Sequence, residues 1–290
     1  MSRQTRAASI TVVPVPMSAE TEPRPLAPTG RSAGMGAAVT VVAARTVRKY
    51  MRSPQLLVMH VIGGAIFVVL FRYIFGGAID FGPVPYVDFL IPGMVLTSVL
   101  ITGTGIAIGV AEDRDQGFFD RLRSLPAPRI ALPAGRVAGD TVIVVWGTAV
   151  TAAMGFLVGF DLHGTPVEAL LAFGLCVVCG FAFAWMFVCM GLVAGNAQAA
   201  QGISLLAYPI IFVSSAYVRV DTLPSWMQPV AEHQPVTVMC NAVRSLALGE
   251  PGLAGLGHTT TYWAALSLAW AAGIVAVFAP LAAALYRRST

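Results

Sequence analysis

The chain has 290 residues, of which 57% are hydrophobic and only 11% charged, with a net charge of +4 and a mean hydropathy of +0.76. A soluble domain carries about 25% charged residues, so this composition excludes an ordinary soluble protein. Apolar runs of ~20 residues, which cross a ~30 Å hydrocarbon core as helices, predict an all-α integral membrane fold instead.

Residues 1–36 differ from the rest of the chain because they are rich in Pro, Ser, Thr, Ala and Arg. They contain no continuous apolar stretch of the kind that marks a secretory signal peptide. We therefore predict a flexible cytoplasmic tail over 1–36 and a membrane domain over 37–290.

Residues 37–53 have the pattern of an amphipathic helix. Apolar side chains recur at helical spacing at Ala43, Ala44, Val47, Tyr50 and Met51. A basic stripe surrounds them, formed by Arg45, Arg48, Lys49 and Arg52. We expect this helix to lie in the headgroup layer with its cations facing anionic lipid, and to end at Ser53-Pro54.

Six long apolar runs predict six transmembrane helices, at about 56–76, 87–111, 140–160, 167–195, 199–219 and 260–286. Basic residues set their orientation: eight precede the first span, five lie between the second and third, and two follow the sixth. The segment between the fifth and sixth spans has only Arg244, with Arg219 at its boundary, and the loops after the first and third spans have none. The positive-inside rule therefore predicts a multi-pass plasma-membrane protein with both termini in the cytoplasm.

Polar side chains inside the spans leave two interpretations open. Arg72 lies about one turn from the outer end of the first span, where it either snorkels to the interface or contributes to a polar pathway. Thr97, Ser98 and Thr102, with Thr104, give the second span a polar fringe that either lines a pathway or bonds to neighbouring helices.

The sequence lacks the motifs of several kinds of nucleotide-binding and catalytic site. Lys49 is the only lysine and follows Val47-Arg48, so the chain contains no GxxxxGK[ST] phosphate-binding loop. Neither an HExxH motif nor a convincing GxSxG motif occurs, and the predicted spans carry no carboxylate at their centres. We expect no catalytic site, no metal site and no nucleic-acid binding. An energy source for transport would have to come from another polypeptide.

Four cysteines occur: Cys176, Cys179, Cys189 and Cys240. Cys176 and Cys179 form a CxxC, which suits redox or metal chemistry. No second CxxC and no nearby histidine completes a metal-binding set, so packing as small apolar side chains is the favoured interpretation.

A segment dense in charge, EDRDQGFFDRLRSLP over 112–126, separates the second and third spans. Phe118, Phe119, Leu122 and Leu125 form the apolar stripe of a short helix, Gly117 permits a bend, and Pro126 ends the helix. The segment either anchors two spans as a charged loop or docks into a groove on a soluble partner. The paired phenylalanines and the mixed charges favour docking.

This segment resembles the signature of type-2 ABC exporter permeases, particularly the daunorubicin-resistance branch. A second stretch, LPSWMQPVAEHQPVTVMCNAVRSLALG over 223–249, resembles the segment that precedes the last span in that family. Its matching residues include Pro224, Trp226, Pro229, Pro235 and Arg244.

The resemblance implies a permease of two copies, identical or homologous, bound to two cytoplasmic ATPase subunits that carry the ATP and Mg, while this chain binds no cofactor. Residues 37–53 would flank the ATPase contact, and 220–259 would form short helices that cap the outer end of the transport path. The coupling helix that receives the ATPase's movement would be formed by Glu112, Asp113, Gly117, Phe118, Phe119, Asp120, Arg121, Leu122, Arg123 and Pro126.

Family members export amphiphilic drugs, lipids or polysaccharides, and the resemblance leaves the cargo open. The external loops lack large basic patches, which argues against a strongly anionic polymer and favours an apolar or cationic amphiphile. The alternatives from other classes are a membrane-embedded enzyme or assembly factor and a secondary carrier.

Overall fold

The structure, a computed structural model, describes residues 34–76, 85–117, 130–253 and 256–288. All regular elements in these ranges are helical, with no β-strand among them. The α-helices, in chain order, are α1 (Met35–Met51), α2 (Pro54–Leu70), α3 (Tyr86–Asp115), α4 (Ala131–Leu157), α5 (Pro166–Val193), α6 (Ala197–Ser204), α7 (Ala207–Phe212), α8 (Gln228–His233), α9 (Pro235–Leu248) and α10 (Thr260–Arg288). A π-helical turn (Phe71–Phe75) extends α2, and 3₁₀ turns occur at Val220–Thr222 and Glu250–Leu253.

Four of the described helices, α3, α4, α5 and α10, are long and apolar enough to cross a membrane. They correspond to the second, third, fourth and sixth predicted spans. The first predicted span contains a shorter apolar helix, Val61–Ile74, and the fifth is divided between α6 and α7. The structure thus agrees with an all-helical membrane protein, while the number of six spans stays a prediction.

Proline explains why the fifth predicted span is not one continuous helix. Pro209 has no N–H to donate to the carbonyl of Leu205, and its ring clashes with that carbonyl in a regular helix. The chain makes a turn at Leu205 and Leu206, where the N–H of Tyr208 bonds instead to the carbonyl oxygen of Leu205 at 3.0 Å.

The charged segment begins differently from the prediction. Glu112 and Asp113 belong to the last turns of α3 and do not start a separate helix. Gly117 follows α3 with a φ of 65°, a left-handed conformation that glycine adopts most easily and that commonly ends helices. Residues 118–129, which include the rest of the predicted coupling helix, lie outside the described residues.

α5 shows how local sequence signals set a helix start. Thr165 and Glu168 form a capping box: the hydroxyl oxygen of Thr165 accepts from the Glu168 N–H at 3.3 Å, and the Glu168 carboxylate accepts from the Thr165 N–H at 2.7 Å. Pro166 occupies the first helical position, where a missing N–H costs nothing.

The long helices pack closely because glycines face their neighbours. α3 and α5 run parallel: a Cβ on Gly103 would lie 2.1 Å from the Phe187 ring, and one on Gly191 would lie 2.4 Å from the carbonyl oxygen of Ala107. α4 runs antiparallel to α3, so Gly155 of α4 meets Ile91 near the start of α3. Small residues of this kind let membrane helices approach one another.

This arrangement gives the bundle two ends. The first, called the α1 end here, contains α1, the last turns of α3 and α5, and the first turns of α4. The second, called the α9 end, contains α9 together with the first turns of α3 and α5. At the α9 end the Gly164 N–H before α5 bonds to the carbonyl oxygen of Ala247 on α9 at 3.1 Å.

α1 lies directly against α4. A Cβ on Gly135 would lie 2.7 Å from the Cβ of Val42, and one on Gly139 would lie 2.6 Å from the Cβ of Thr46. Val42 and Thr46 are accordingly the buried residues of α1, whereas Met51, which the sequence pattern placed on the apolar face, is 64% exposed. The face of α1 that is buried against protein is therefore the one opposite two glycines.

We expect Gly139→Ala to destabilise the protein by about 1–3 kcal/mol, because the new methyl group overpacks the contact between α1 and α4. Gly174→Ala is the matched control: a Cβ there meets nothing within 4 Å, and alanine in an exposed helix position is favoured over glycine by about 0.5–1 kcal/mol. Unfolding in detergent measures both. Equal effects of the two substitutions would contradict close α1–α4 packing.

Candidate functional site

Among the described residues, seven side chains from three helices meet at the α1 end, and we refer to them as the ion cluster. Its members are Arg45, Lys49 and Tyr50 of α1, Glu112 and Asp113 of α3, and Arg136 and Asp140 of α4. Three cations and three carboxylates balance one another, and the phenol of Tyr50 completes the group.

Arg136 lies at the centre of the ion cluster. Its Nε donates to Asp140 Oδ2 at 2.7 Å, and its Nη1 donates to Asp113 Oδ2. Asp113 is 2% exposed and Asp140 is fully buried, so water screens these pairs very little. Gly109 makes room for the guanidinium, because a Cβ at that position would lie 2.6 Å from an Arg136 terminal nitrogen.

α1 joins the cluster from the outside. Arg45 Nη2 and Asp113 Oδ1 are 3.3 Å apart, and Lys49 Nζ and Glu112 Oε2 are also 3.3 Å apart. These cations are partly exposed, with 39% and 34% of the side chains accessible, so their pairs are weaker than the central ones.

Tyr50 donates its phenolic hydrogen to Asp140 Oδ1 at 2.8 Å. Burial and the adjacent Asp140 carboxylate raise the pKa of Tyr50 well above its ordinary value. Like any tyrosine at neutral pH, Tyr50 is protonated, so its phenol acts as a hydrogen-bond donor to the carboxylate.

A fourth helix is attached next to the ion cluster. Arg114 Nη1 donates to the carbonyl oxygens of Leu192 at 2.9 Å and Ala194 at 3.1 Å, at the C-terminal end of α5. Carbonyls at a helix C-terminus have no partner within their own helix and attract cations. The last turns of α3 are thus tied to α1, α4 and α5.

The structure divides the predicted basic stripe into two pairs. Arg45 and Lys49 face the carboxylates of α3, whereas Arg48 and Arg52 are exposed. Only the second pair has the placement expected of cations that face a lipid headgroup.

The predicted coupling residues within the described part also separate. Asp113 is buried within the chain and faces α1 and α4, so its carboxylate is not on the surface. Glu112 is 44% exposed while it pairs with Lys49. Phe118, Phe119, Asp120, Arg121, Leu122, Arg123 and Pro126 lie outside the described residues.

A cavity of about 310 Å³, the mid-helix cavity, lies between α2, α3, α4 and α7. It brings together the predicted pathway residues Thr97, Ser98 and Thr102 with Thr104, Thr151, Tyr208 and Tyr217. The hydroxyls of Thr97 and Tyr217 lie 3.2 Å apart. All described residues that line this cavity are uncharged.

Arg72, the other predicted pathway residue, does not line the mid-helix cavity. Its Nε donates to the carbonyl oxygen of Val158 at 3.3 Å, and its guanidinium lies 5.8 Å from the centre of the Tyr73 ring. It therefore links the end of α2 to the end of α4.

The residues predicted for the external segment differ in exposure. Pro224 and Pro229 are exposed and Trp226 is 76% exposed, whereas Pro235 begins α9. Arg244 is 2% exposed and bonds to the carbonyl oxygens of Phe89 and Ser215.

The sequence analysis missed Arg136 and Asp140 as site residues. Their i, i+4 spacing within GRVAGD was the available signal, since oppositely charged residues at that spacing meet on a helix. The predicted span began at residue 140, whereas α4 begins at Ala131 and includes both residues.

Cys176, Cys179, Cys189 and Cys240 are buried free thiols. Across the described ranges, no group of three or more His, Cys, Asp and Glu side chains is arranged to hold a metal ion.

We expect Asp140→Asn to destabilise the protein by about 3–5 kcal/mol, because the buried Arg136 loses one of its two counter-ions. The matched control is Asp221→Asn: the Arg219–Asp221 pair is similarly short at 2.6 Å, but its side chains are 44% and 59% exposed. That change should cost less than about 1 kcal/mol. Unfolding of both variants in the same detergent provides the comparison. Similar losses would show that the ion cluster is no stronger than a surface pair.

Residues 37–248 match the ABC-2 type transporter family. The chain is 33% identical over 244 residues, 84% of its length and 83% of the relative's, to a daunorubicin resistance ABC transporter permease protein of Streptomyces coeruleorubidus. It is 28% identical over 201 residues, 69% of its length and 70% of the relative's, to a probable doxorubicin resistance ABC transporter permease protein of Mycobacterium tuberculosis. Nodulation protein J of Sinorhizobium fredii is 28% identical over 183 residues, 58% of the chain and 64% of that protein.

The family match covers the described helices α1 to α9, and four of the described helices are long and apolar enough to cross a membrane. The resemblance seen in the charged segment and in 223–249 is thereby confirmed. The chain belongs to the ABC-2 type transporter family and is a membrane-embedded permease with drug-resistance permeases among its relatives.

Proposed function

We propose that this chain is the permease subunit of an ATP-driven exporter, which moves an amphiphile out of the cytoplasm using ATP hydrolysed by a separate subunit. The observation that carries the proposal is the ion cluster. It connects the beginning of the charged segment to α1 and α4 through buried charges.

A movement of the ATPase subunit can displace the spans only if the contacts that join the charged segment to the spans stay intact. The buried pairs of Arg136 with Asp113 and Asp140 provide such contacts, because pulling either carboxylate away leaves an uncompensated charge in a low dielectric. A push on residues 112–126 would therefore displace the last turns of α3 together with α1 and α4. Arg114 extends the same connection to α5.

The partner supplies the energy in this proposal. The chain has no GxxxxGK[ST] loop, so the ATP and Mg would be bound by the ABC ATPase subunit and no cofactor by the permease. Two permease copies, identical or homologous, would bind two ATPase subunits. The α1 end would face the cytoplasm of a plasma-membrane protein, with both termini on that side, as the distribution of basic residues favours.

The mid-helix cavity is the best-supported place for the cargo. It combines hydroxyl groups with the apolar surfaces of Phe67, Met94 and Ile101, which suits an amphiphile with few charges. The hydroxyl of Thr104 is buried and has no hydrogen-bond partner in the described part of the chain, so it is available to a ligand. Because the described residues that line the cavity carry no charge, a strongly anionic polymer fits it poorly.

The same cavity argues against a secondary carrier. A carrier driven by protons or cations generally places ionisable side chains along its path. None of the described residues that line the mid-helix cavity carries a charge.

The proposal is tested by exchanging the charges that join α1 to α3. Lys49 and Glu112 are both partly exposed, so Lys49→Glu should leave the fold intact. It places a new carboxylate against Glu112 and against Asp113, which lies 3.8 Å from Lys49 Nζ. In proteoliposomes that contain the permease and its cognate ABC ATPase, we expect this variant to retain ATP hydrolysis and to lose most ATP-dependent export. The double variant Lys49→Glu/Glu112→Lys restores the pair and should recover export.

Two controls make that result decisive. The permease purified alone should hydrolyse no ATP, whereas its complex with the ATPase should hydrolyse ATP. Export that survives without ATP under an ion gradient would favour the secondary carrier, and wild-type export by Lys49→Glu would remove the ion cluster from the coupling pathway.

The mid-helix cavity is tested with Thr104→Val, which removes a hydroxyl but keeps the side-chain shape. Stability should not fall, since that hydroxyl bonds to nothing described. Transport of daunorubicin, the drug in the name of the Streptomyces relative, should show a KM raised about five- to tenfold through loss of one hydrogen bond. Thr141→Val is the control, because Thr141 bonds within its own helix to the carbonyl oxygen of Val137 and lies outside the cavity. Equal KM values for the two variants would place the cargo elsewhere.

A further inference from the structure

A second and larger cavity, the α9 cavity, lies at the end of the bundle opposite the ion cluster. Its volume is about 670 Å³, within the range of sites that hold drug-sized ligands. Its walls come from the start of α3, the segment after α7, and the helices α8, α9 and α10. It shares no lining residue with the mid-helix cavity.

A buried arginine lines the α9 cavity. Arg244 is 2% exposed, and no carboxylate in the described ranges lies within ion-pair distance of it. Its guanidinium lies 3.7 Å from the centre of the Phe89 ring. A buried cation is costly unless an anion or several acceptors compensate it.

The acceptors that Arg244 does have are neutral. Nε donates to the carbonyl oxygen of Phe89, Nη1 to Asn241 Oδ1, and Nη2 to the carbonyl oxygen of Ser215. A guanidinium has five N–H groups, so one N–H on each terminal nitrogen remains beyond these three bonds. The positive charge is held in place but not neutralised.

A second donor on the same cavity has no acceptor among the described residues. Trp263 is 9% exposed, and its indole Nε1 makes no hydrogen bond with any described residue. Buried indole N–H groups usually find an acceptor. Within the described residues, a buried donor without an acceptor and a buried cation without an anion thus line one cavity.

The part of the wall formed by α10 is apolar and aromatic. Tyr262, Leu266 and Trp270 line the cavity over two turns of α10, about 12 Å at 1.5 Å per residue. His258 stacks on Tyr262 with ring centres 4.1 Å apart. This surface suits the apolar body of an amphiphile.

The carboxylates that line the α9 cavity lie at its exposed parts. Asp221 pairs with Arg219 at 2.6 Å, and Glu232 is exposed beside His233. Exposed charges are screened by water and salt, whereas the charge of Arg244 is not. The buried part of the cavity is therefore positive.

We propose that the α9 cavity is a binding site for an anionic amphiphile, whose carboxylate, phosphate or sulfonate group accepts hydrogen bonds from Arg244 and Trp263 and whose apolar body lies along α10. This site is separate from the mid-helix cavity and does not depend on the exporter proposal. An anionic membrane lipid and a free amphiphile share the required chemistry.

The test uses the full-length chain in phosphatidylcholine nanodiscs and the fluorescent probe 9-anthracenecarboxylate, with empty nanodiscs as background. We expect saturable binding at least tenfold tighter than that of the cationic analogue 9-(aminomethyl)anthracene. Trp263→Phe keeps an aromatic side chain but removes the indole N–H, and should weaken binding about tenfold. Trp226→Phe is the control, since Trp226 is exposed and does not line the cavity.

Arg244→Lys keeps the charge but loses the forked donors, and should also weaken binding; a thermal unfolding curve for each variant separates loss of binding from loss of fold. Equal affinity of the Trp263→Phe and Trp226→Phe variants, or a cationic analogue that binds as tightly as the anion, would overturn the proposal.

Phosphatidylglycerol added to the nanodisc distinguishes the two sources of the ligand. If phosphatidylglycerol competes with the probe, the ligand is an anionic lipid; if it does not compete, the ligand is a free amphiphile.

Discussion

Arg136 is the counter-ion of two carboxylates, Asp113 on α3 and Asp140 on its own helix, at a place that water hardly reaches. Removing any member of such a group leaves a charge in a low dielectric at a cost of several kcal/mol. The position of α1 follows from this constraint, because Arg45 and Tyr50 complete the same group. A glycine is required at position 109 for the same reason, because it leaves the space that the Arg136 guanidinium occupies.

The two buried arginines, Arg136 and Arg244, give the ends of the bundle different properties. In the ion cluster at the α1 end, three cations and three carboxylates of the described residues balance, and α1, α3 and α4 are tied together. At the α9 end, Arg244 is held by neutral oxygens beside a cavity of about 670 Å³. A balanced cluster is suited to transmitting movement, whereas an unbalanced cation beside a cavity is suited to accepting a ligand.

Elements with strong local signals were predicted well from the sequence. α1, α5 and α10 lie close to their predicted limits, because Ser53-Pro54, the Thr165–Glu168 capping box and long apolar runs act locally. α3 continues to Asp115, beyond the predicted end of the second span at 111, and α4 begins at Ala131, before the predicted start of the third span at 140. Asp113 and Arg136 continue their helices because their charges are paired inside the fold, and Glu112 pairs with Lys49 nearer the surface.

The sequence by itself determined the class of the protein: apolar composition requires a helical membrane fold, and the charged segment together with 223–249 indicates the family. Only the tertiary structure decided which charges belong to each other. Arg45 and Asp113 are 68 positions apart, and Arg244 meets the carbonyl of Phe89 across 155 positions. Such pairs leave no periodic trace in the chain, because they form only when separate helices pack together.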